Sequence, residues 1–233
     1  MKKIVLMALG MIFMSTANAQ DKVEANIAVD VVSKYVWRGA ECASGSVQPT
    51  LGVSYKGLSL TAWGNYGIVN SDDTQELDLT LAYSTGNFNI GITDYWFSGG
   101  DNRYFLYAAH ETSHIFEANI GYDFGPVSLN WFTNFAGNDG LNKSGKRAYS
   151  SYFEVAAPFT LGGIDWNAAV GVVPYATAYY PDATGFAVTN VSLKGTYAIK
   201  ITDSFSLPLF AAVTANPSSQ KCFFHAGFTL KIK

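Results

Sequence analysis

The sequence is poor in charge and, beyond Met14, has no long apolar run. Charged residues make up 14% of the 233 residues, against roughly 25% in an ordinary soluble domain. Beyond Met14 no stretch of about 18 apolar residues occurs, which excludes a membrane-spanning helix there. Lysine and arginine do not cluster anywhere, and the formal net charge is −3. This distribution argues against a nucleic-acid partner.

The first residues read as an export signal. Lys2 and Lys3 precede an almost wholly apolar stretch over residues 4–14, and the small residues Ala17–Ala19 follow. A positive start, a short apolar region and a small-residue cleavage site are typical of a secretory signal peptide. We therefore predict a signal peptide over residues 1–19 and one mature domain over residues 20–233.

Aromatic residues are plentiful, at 15%, and apolar residues alternate with polar ones along most of the mature chain. A period of two indicates a β-strand with one apolar and one polar face. Twelve such segments can be counted. In the first, the apolar face carries Val23, Ala25, Ile27, Val29, Val31, Tyr35 and Trp37, and the polar face carries Glu24, Asn26, Asp30, Lys34 and Arg38.

The connections between these segments alternate between tight and long. Lys56-Gly57, Thr85-Gly86 and Gly162-Gly163 are tight, whereas Ser98–Ser113, Pro174–Gly185 and Ala215–Gln220 are longer and polar. A β-sandwich has no reason to sort its loops in this way. The pattern predicts an all-β, transmembrane antiparallel up-and-down β-barrel of about 12 strands, with short periplasmic turns, longer external loops and both termini periplasmic.

Two stretches resemble a known family. Ser33–Gly67 (SKYVWRGAECASGSVQPTLGVSYKGLSLTAWGNYG) and Phe116–Phe135 (FEANIGYDFGPVSLNWFTNF) are similar to the opening and the middle hairpin of TorF-type porins. The resemblance implies an outer-membrane barrel of a Gram-negative cell that passes small solutes. For the predicted barrel, the expected partners are outer-membrane lipid, small solutes or ions, and the outer-membrane assembly machinery.

The polar faces predict the residues that line the lumen. The set is Glu24, Asn26, Asp30, Lys34, Arg38, Glu76, Asp78, Asn89, Glu117, Asn119, Asn130, Glu154, Asp165, Asn167, Lys194 and Lys231. One interpretation is a hydrated pore for passive diffusion of small solutes or ions. The other is a non-conducting surface barrel whose external loops bind a ligand or partner. Twelve strands lie between the filled and the open barrel sizes, so both interpretations stay open.

Two patterns could carry chemistry, and neither predicts an enzyme. His110–His114 (HETSH) matches a zinc-protease pattern, but that chemistry needs both histidines on one face of a helix. Here the pattern lies between two strands. Ser113 and His114 are neighbours that would point to opposite faces of a strand, so they cannot form a nucleophile–base pair. We expect no catalytic residue, cofactor or metal.

The only two cysteines are Cys42 and Cys222. Closure of the barrel would make the first and last strands neighbours, with both cysteines at the external rim. An exported protein can keep a disulfide, so one interpretation is a Cys42–Cys222 bridge. The other is two separate thiols, with Cys222 acting as a small apolar residue on the lipid face.

Overall fold

The computed structural model describes seven stretches of the chain, which are residues 22–70, 72–73, 75–98, 102–108, 111–142, 144–202 and 205–232. The predicted signal peptide lies outside these described residues. Among the described residues, no helix is long and apolar enough to cross a membrane.

The described residues form fourteen β-strands. Their bounds are β1 Glu24–Val32, β2 Tyr35–Trp37, β3 Ala40–Ala43, β4 Ser46–Tyr55, β5 Leu58–Gly67, β6 Glu76–Thr85, β7 Phe88–Phe97, β8 Ile115–Asp123, β9 Ser128–Gly137, β10 Ser151–Leu161, β11 Ile164–Val173, β12 Ala187–Lys200, β13 Ser206–Asn216 and β14 Lys221–Ile232.

Twelve of these strands form one closed antiparallel barrel, which confirms the predicted fold class. Each strand pairs with the next along the chain, from β4 to β14, and β1 pairs with both β4 and β14. Ile27 lies opposite Ile232, and Val32 lies opposite Gly227. Closure leaves no strand of the barrel with an unpaired edge.

The side chains are distributed with the apolar face outward. On β5 the outward Leu60 is 52% exposed, whereas the inward Thr61 is only 7% exposed. The same contrast holds on β6, where Leu81 is exposed and Asp78 is buried. An apolar exterior around a polar interior is the arrangement of a transmembrane β-barrel.

The two ends of the barrel differ in their connections. One end, which we call the turn end, carries two-residue turns such as Lys56-Gly57 and Gly162-Gly163. The start of β1 and the end of β14 also lie there. The other end, the loop end, carries the longer connections. One prediction was wrong: the connection over 215–220 is a short turn, because β13 runs to Asn216 and β14 begins at Lys221.

The first predicted strand is also shorter than the sequence indicated. β1 ends at Val32, and Tyr35–Ala43 folds into the lumen as a separate two-stranded hairpin of β2 and β3, which we call the lumen hairpin. Its two turn residues, Arg38 and Gly39, both have positive φ, as a tight hairpin turn requires.

This hairpin corrects the expected positions of four residues. Tyr35 is only 3% exposed, and Trp37 packs against lumen tyrosines, so neither faces lipid. Lys34 and Arg38 do not stand on the barrel wall. The period of two continued past Val32 because a hairpin strand alternates as a barrel strand does.

The closed barrel leads to a first testable expectation. In detergent, the unheated protein should migrate anomalously on an electrophoresis gel and shift on boiling, because a closed hydrogen-bonded barrel unfolds slowly. Solubility without detergent, together with identical migration before and after boiling, would contradict the membrane barrel.

Candidate functional site

The lumen contains a cavity of about 220 Å³. Inward side chains from all twelve barrel strands line it, and the lumen hairpin contributes Tyr35–Gly39. The cavity therefore occupies the barrel interior and is not a pocket on one side of the wall.

The residues predicted to line the pore fall into two groups. Those that line the cavity are Asp30, Arg38, Asp78, Glu117, Asn119, Asn130, Glu154, Asn167 and Lys194. The others lie elsewhere and are Glu24, Asn26, Lys34, Glu76, Asn89, Asp165 and Lys231. Within the second group, Glu76 and Asn89 are buried, Asp165 accepts a hydrogen bond from Thr160 at the turn end, and Lys34 pairs with Glu41 inside the hairpin.

The guanidinium of Arg38 joins the lumen hairpin to the barrel wall. Its Nη1 and Nη2 donate to the two carboxylate oxygens of Glu117 at 2.6 and 2.8 Å. Nη1 also donates to the Tyr180 hydroxyl at 2.7 Å. Although burial alone lowers the pKa of Arg38, the Glu117 carboxylate holds this pKa well above its ordinary value. A bidentate pair of this kind fixes both position and orientation.

Aromatic rings surround the same guanidinium. Its Cζ lies 4.3 Å from the ring centroids of Trp37 and Phe132, and 4.5 Å from that of Tyr152. Arginine above aromatic faces is stabilised by the ring quadrupole, more strongly where water is excluded. Since Phe132 and Tyr152 stand on β9 and β10, these rings add further contacts between the hairpin and the wall.

Two other contacts hold the lumen hairpin. The Asn216 side-chain amide donates to the Gly39 carbonyl at 3.1 Å, and Trp37 packs edge-on against Tyr95 at 6.0 Å between ring centroids. The Tyr95 hydroxyl in turn donates to Glu117, the partner of Arg38, at 2.9 Å. The hairpin therefore crosses the lumen from β1 and β4 and is fixed to β8 and β13.

The aromatic residues of this cluster were absent from the predicted pore set. The sequence did carry a signal for Phe132 and Tyr152. Each stands two residues from a predicted pore residue on the same strand, Asn130 or Glu154, and therefore on the same face. Tyr179 and Tyr180 had none. They lie between β11 and β12, outside any strand pattern, and only the fold brings them to Trp37.

The remaining charges near the cavity are only partly compensated. Asp30 accepts a hydrogen bond from Thr229, and Glu154 accepts one from the Tyr152 hydroxyl at 2.8 Å. The ammonium of Lys194 lies 3.9 Å from the centroid of the Phe210 ring and has no hydrogen-bond partner among the described residues.

His114 of the HETSH pattern has a structural role. Its ring is fully buried, with Nδ1 2.7 Å from the Asp94 carboxylate and Nε2 2.6 Å from the Tyr104 carbonyl. Tyr107 stacks on it at 4.2 Å. His110 lies outside the described residues. Among those that are described, no three His, Cys, Asp or Glu side chains are grouped to hold a metal ion.

The cysteines are two free thiols in the structure, so the disulfide interpretation is corrected. Cys42 is drawn inward with the lumen hairpin, and burial, helped by the nearby Glu76 carboxylate, raises its pKa to about 12. Cys222 is exposed and lies opposite Ala215 on β13. Cys42 stands on β3 of the lumen hairpin and Cys222 on β14 of the barrel wall, and the sequence pattern did not predict that hairpin.

Thiol labelling tests this separation. Denatured, unreduced protein should show two reactive thiols per chain, because both cysteines are free. In the folded barrel, Cys222 should react well before Cys42, since only a thiolate reacts and Cys42 is the less exposed thiol with the raised pKa. A chain without free thiols would contradict the positions of both residues.

No family model matches the chain, and no curated protein matches it. The assignment to the TorF-type porins therefore stays a prediction. One similar solved structure comes from work on in-meso crystallization of membrane proteins, with a TM-score of 0.48, 7% identity, and coverage of 89% of this chain and 83% of that one. Another is a porin refined at 1.8 Å resolution, with a TM-score of 0.38 and 16% identity.

The match to the porin covers 83% of this chain and 63% of the porin. This chain therefore matches less than two thirds of that protein's length. Both TM-scores lie below 0.5.

Proposed function

We propose that the protein is a porin-like outer-membrane barrel through which small solutes or ions diffuse passively. The observation that carries the proposal is the lumen cavity, which side chains of all twelve barrel strands line. No step of this function needs a cofactor or a reacting group.

Unpartnered polar atoms support a hydrated lumen. Seven cavity-lining residues have a buried polar atom without a hydrogen-bond partner in the described part of the chain: Thr50, Asp78, Ser128, Asn130, Asn167, Lys194 and His225. Buried polar groups in proteins are nearly always hydrogen-bonded, because an unpaired one costs free energy. Water and polar solutes that enter the cavity would satisfy these atoms.

The outer surface supports a membrane setting. Leu51, Leu60, Leu81 and Ile92 are about half exposed on the outward face, where lipid would cover them. Exposed aromatic side chains also lie near the turn end of the barrel, and they include Tyr55, Tyr83, Tyr122, Phe159 and Tyr197. A ring of aromatic residues at a membrane interface is typical of outer-membrane barrels.

The lumen hairpin would set the size of solute that passes. It enters from the loop end and narrows the interior. A barrel of about eight strands is filled by its own side chains, whereas twelve strands enclose more space. The same hairpin favours the second candidate, a non-conducting barrel that acts through its external loops. Conductance separates the two candidates.

Releasing the hairpin should raise conductance. In planar bilayers, the refolded protein should form small channels, and the double variant Arg38→Ala with Glu117→Ala should conduct at least about two-fold more, since it removes both members of the buried pair and leaves no unpaired charge. Unit conductance of single channels in potassium chloride is the measurement.

The Lys34–Glu41 pair supplies the matched control. It joins Lys34, which precedes the hairpin, to Glu41 on β3. Lys34 also lies over the Phe223 ring of β14, 5.9 Å from its centroid, but neither Lys34 nor Glu41 lines the cavity, so Lys34→Ala with Glu41→Ala should leave conductance nearly unchanged. If neither the natural chain nor the variant Arg38→Ala with Glu117→Ala conducts, passive diffusion is refuted. The result would then favour the non-conducting candidate.

A further inference from the structure

We infer that the lumen prefers cations, and that Asp78 and Glu154 are the side chains that set this preference. The inference rests on the proposed function and narrows the solutes of that function to small, positively charged ones. It follows from the charges that line the cavity and from the way in which they are paired.

The ionisable side chains that line the cavity carry an excess of negative charge. They are the carboxylates of Asp30, Asp78, Glu117 and Glu154, and the cations of Arg38 and Lys194. His225 also lines the cavity, but a histidine at its ordinary pKa is neutral at about pH 8. Four carboxylates against two cations leave the lumen with an excess of two negative charges.

The charge of Arg38 is divided between two carboxylates. Its guanidinium is paired directly with Glu117, and it also acts electrostatically on Glu154. Glu154 accepts hydrogen bonds from the Tyr152 hydroxyl at 2.8 Å and from the Asn190 amide at 3.5 Å. These two donors stabilise the carboxylate but bring no charge. One positive charge therefore faces two negative ones in this part of the lumen, and Glu154 supplies the excess.

Lys194 and Asp30 form a second group, in which the charges balance. Each acts electrostatically on the other. Asp30 also accepts a hydrogen bond from Thr229, and the Lys194 ammonium lies over the Phe210 ring. Since one positive and one negative charge stand here, this group adds nothing to the excess.

Asp78 stands among other carboxylates. It is only 8% exposed, its Oδ1 has no hydrogen-bond donor, and it forms no ion pair with a lysine or arginine of the described residues. The groups that act on it electrostatically include Glu76, Glu117 and Asp94. Glu76 is buried on the same face of β6, and one proton shared by Glu76 and Asp78 would still leave one negative charge. The β6 wall therefore carries the second excess charge.

A narrow lumen makes this excess effective. Salt at 0.1 M screens a charge in bulk solution over roughly 10 Å, but an ion within so small a cavity lies close to the charges that line it. Fixed charge of one sign between low-dielectric walls raises the local concentration of the opposite ion, as rings of carboxylates do in cation channels. We therefore expect the lumen to concentrate cations and to exclude anions.

Reversal potentials in planar bilayers test the inference. In a potassium chloride gradient at about pH 8, the refolded barrel should show a permeability ratio of potassium to chloride of at least about five. The double variant Asp78→Asn with Glu154→Gln should lower this ratio at least about two-fold, because it removes both excess charges at nearly constant size.

Glu24→Gln with Asp165→Asn is the matched control. It removes the same number of carboxylates, but both are exposed near the turn end and neither lines the cavity, so the ratio should stay close to that of the natural chain. Lys194→Gln removes a positive charge from the cavity and should raise the ratio at least about two-fold. This variant also covers the case in which the double variant does not fold.

The outcomes separate this inference from the proposed function. Ion current with a permeability ratio near or below one supports passive diffusion and overturns the cation preference. An unchanged ratio in the folded double variant would overturn it as well. So would a ratio that falls in Lys194→Gln, because the shape of the pore and not its charge would then set the preference. Absence of current in both the natural chain and the variant Arg38→Ala with Glu117→Ala would overturn passive diffusion and this inference with it.

Discussion

The pairing of β1 with β14 is the contact on which the rest of the structure depends. In lipid, each backbone N–H and C=O group must find its partner within the protein, and a sheet can meet that requirement only when it closes. Closure then defines an inside and an outside for every strand, so one period of two sorts apolar side chains to lipid and polar ones to the lumen. The lumen cavity and the inward position of the lumen hairpin both follow from that division.

The lumen hairpin changes what the barrel encloses. A buried arginine needs a carboxylate and further acceptors, and Arg38 finds them only across the lumen, at Glu117 and Tyr180. With the hairpin inside the lumen, this pairing keeps the Arg38 guanidinium from being an uncompensated buried charge, which would be strongly destabilising. The hairpin leaves a cavity of about 220 Å³ in the lumen.

Glycines on the inward face allow the large rings to fit. A Cβ at Gly171 would lie 1.8 Å from the Tyr152 hydroxyl, and a Cβ at Gly227 would lie 2.7 Å from the Phe210 ring. The missing Cβ atoms give Tyr152 room to lie against the wall beside Arg38, and Phe210 room to lie beneath the Lys194 ammonium. Both glycines lie on strands that pair with the strand carrying the ring.

Sequence alone determined the strand number, the closed architecture and which face of most strands is inward, because pleated strands impose a strict period of two and loop lengths alternate. Asn130, Glu154 and Lys194 could be placed in the lumen on that ground. Only the tertiary structure decided that Tyr35 leaves the wall, that Tyr180 reaches Arg38 and that Cys42 and Cys222 stay apart. Alternation shows only which face of the sheet a side chain points to. Contacts across the lumen join residues far apart in the chain, so they depend on how the whole barrel closes.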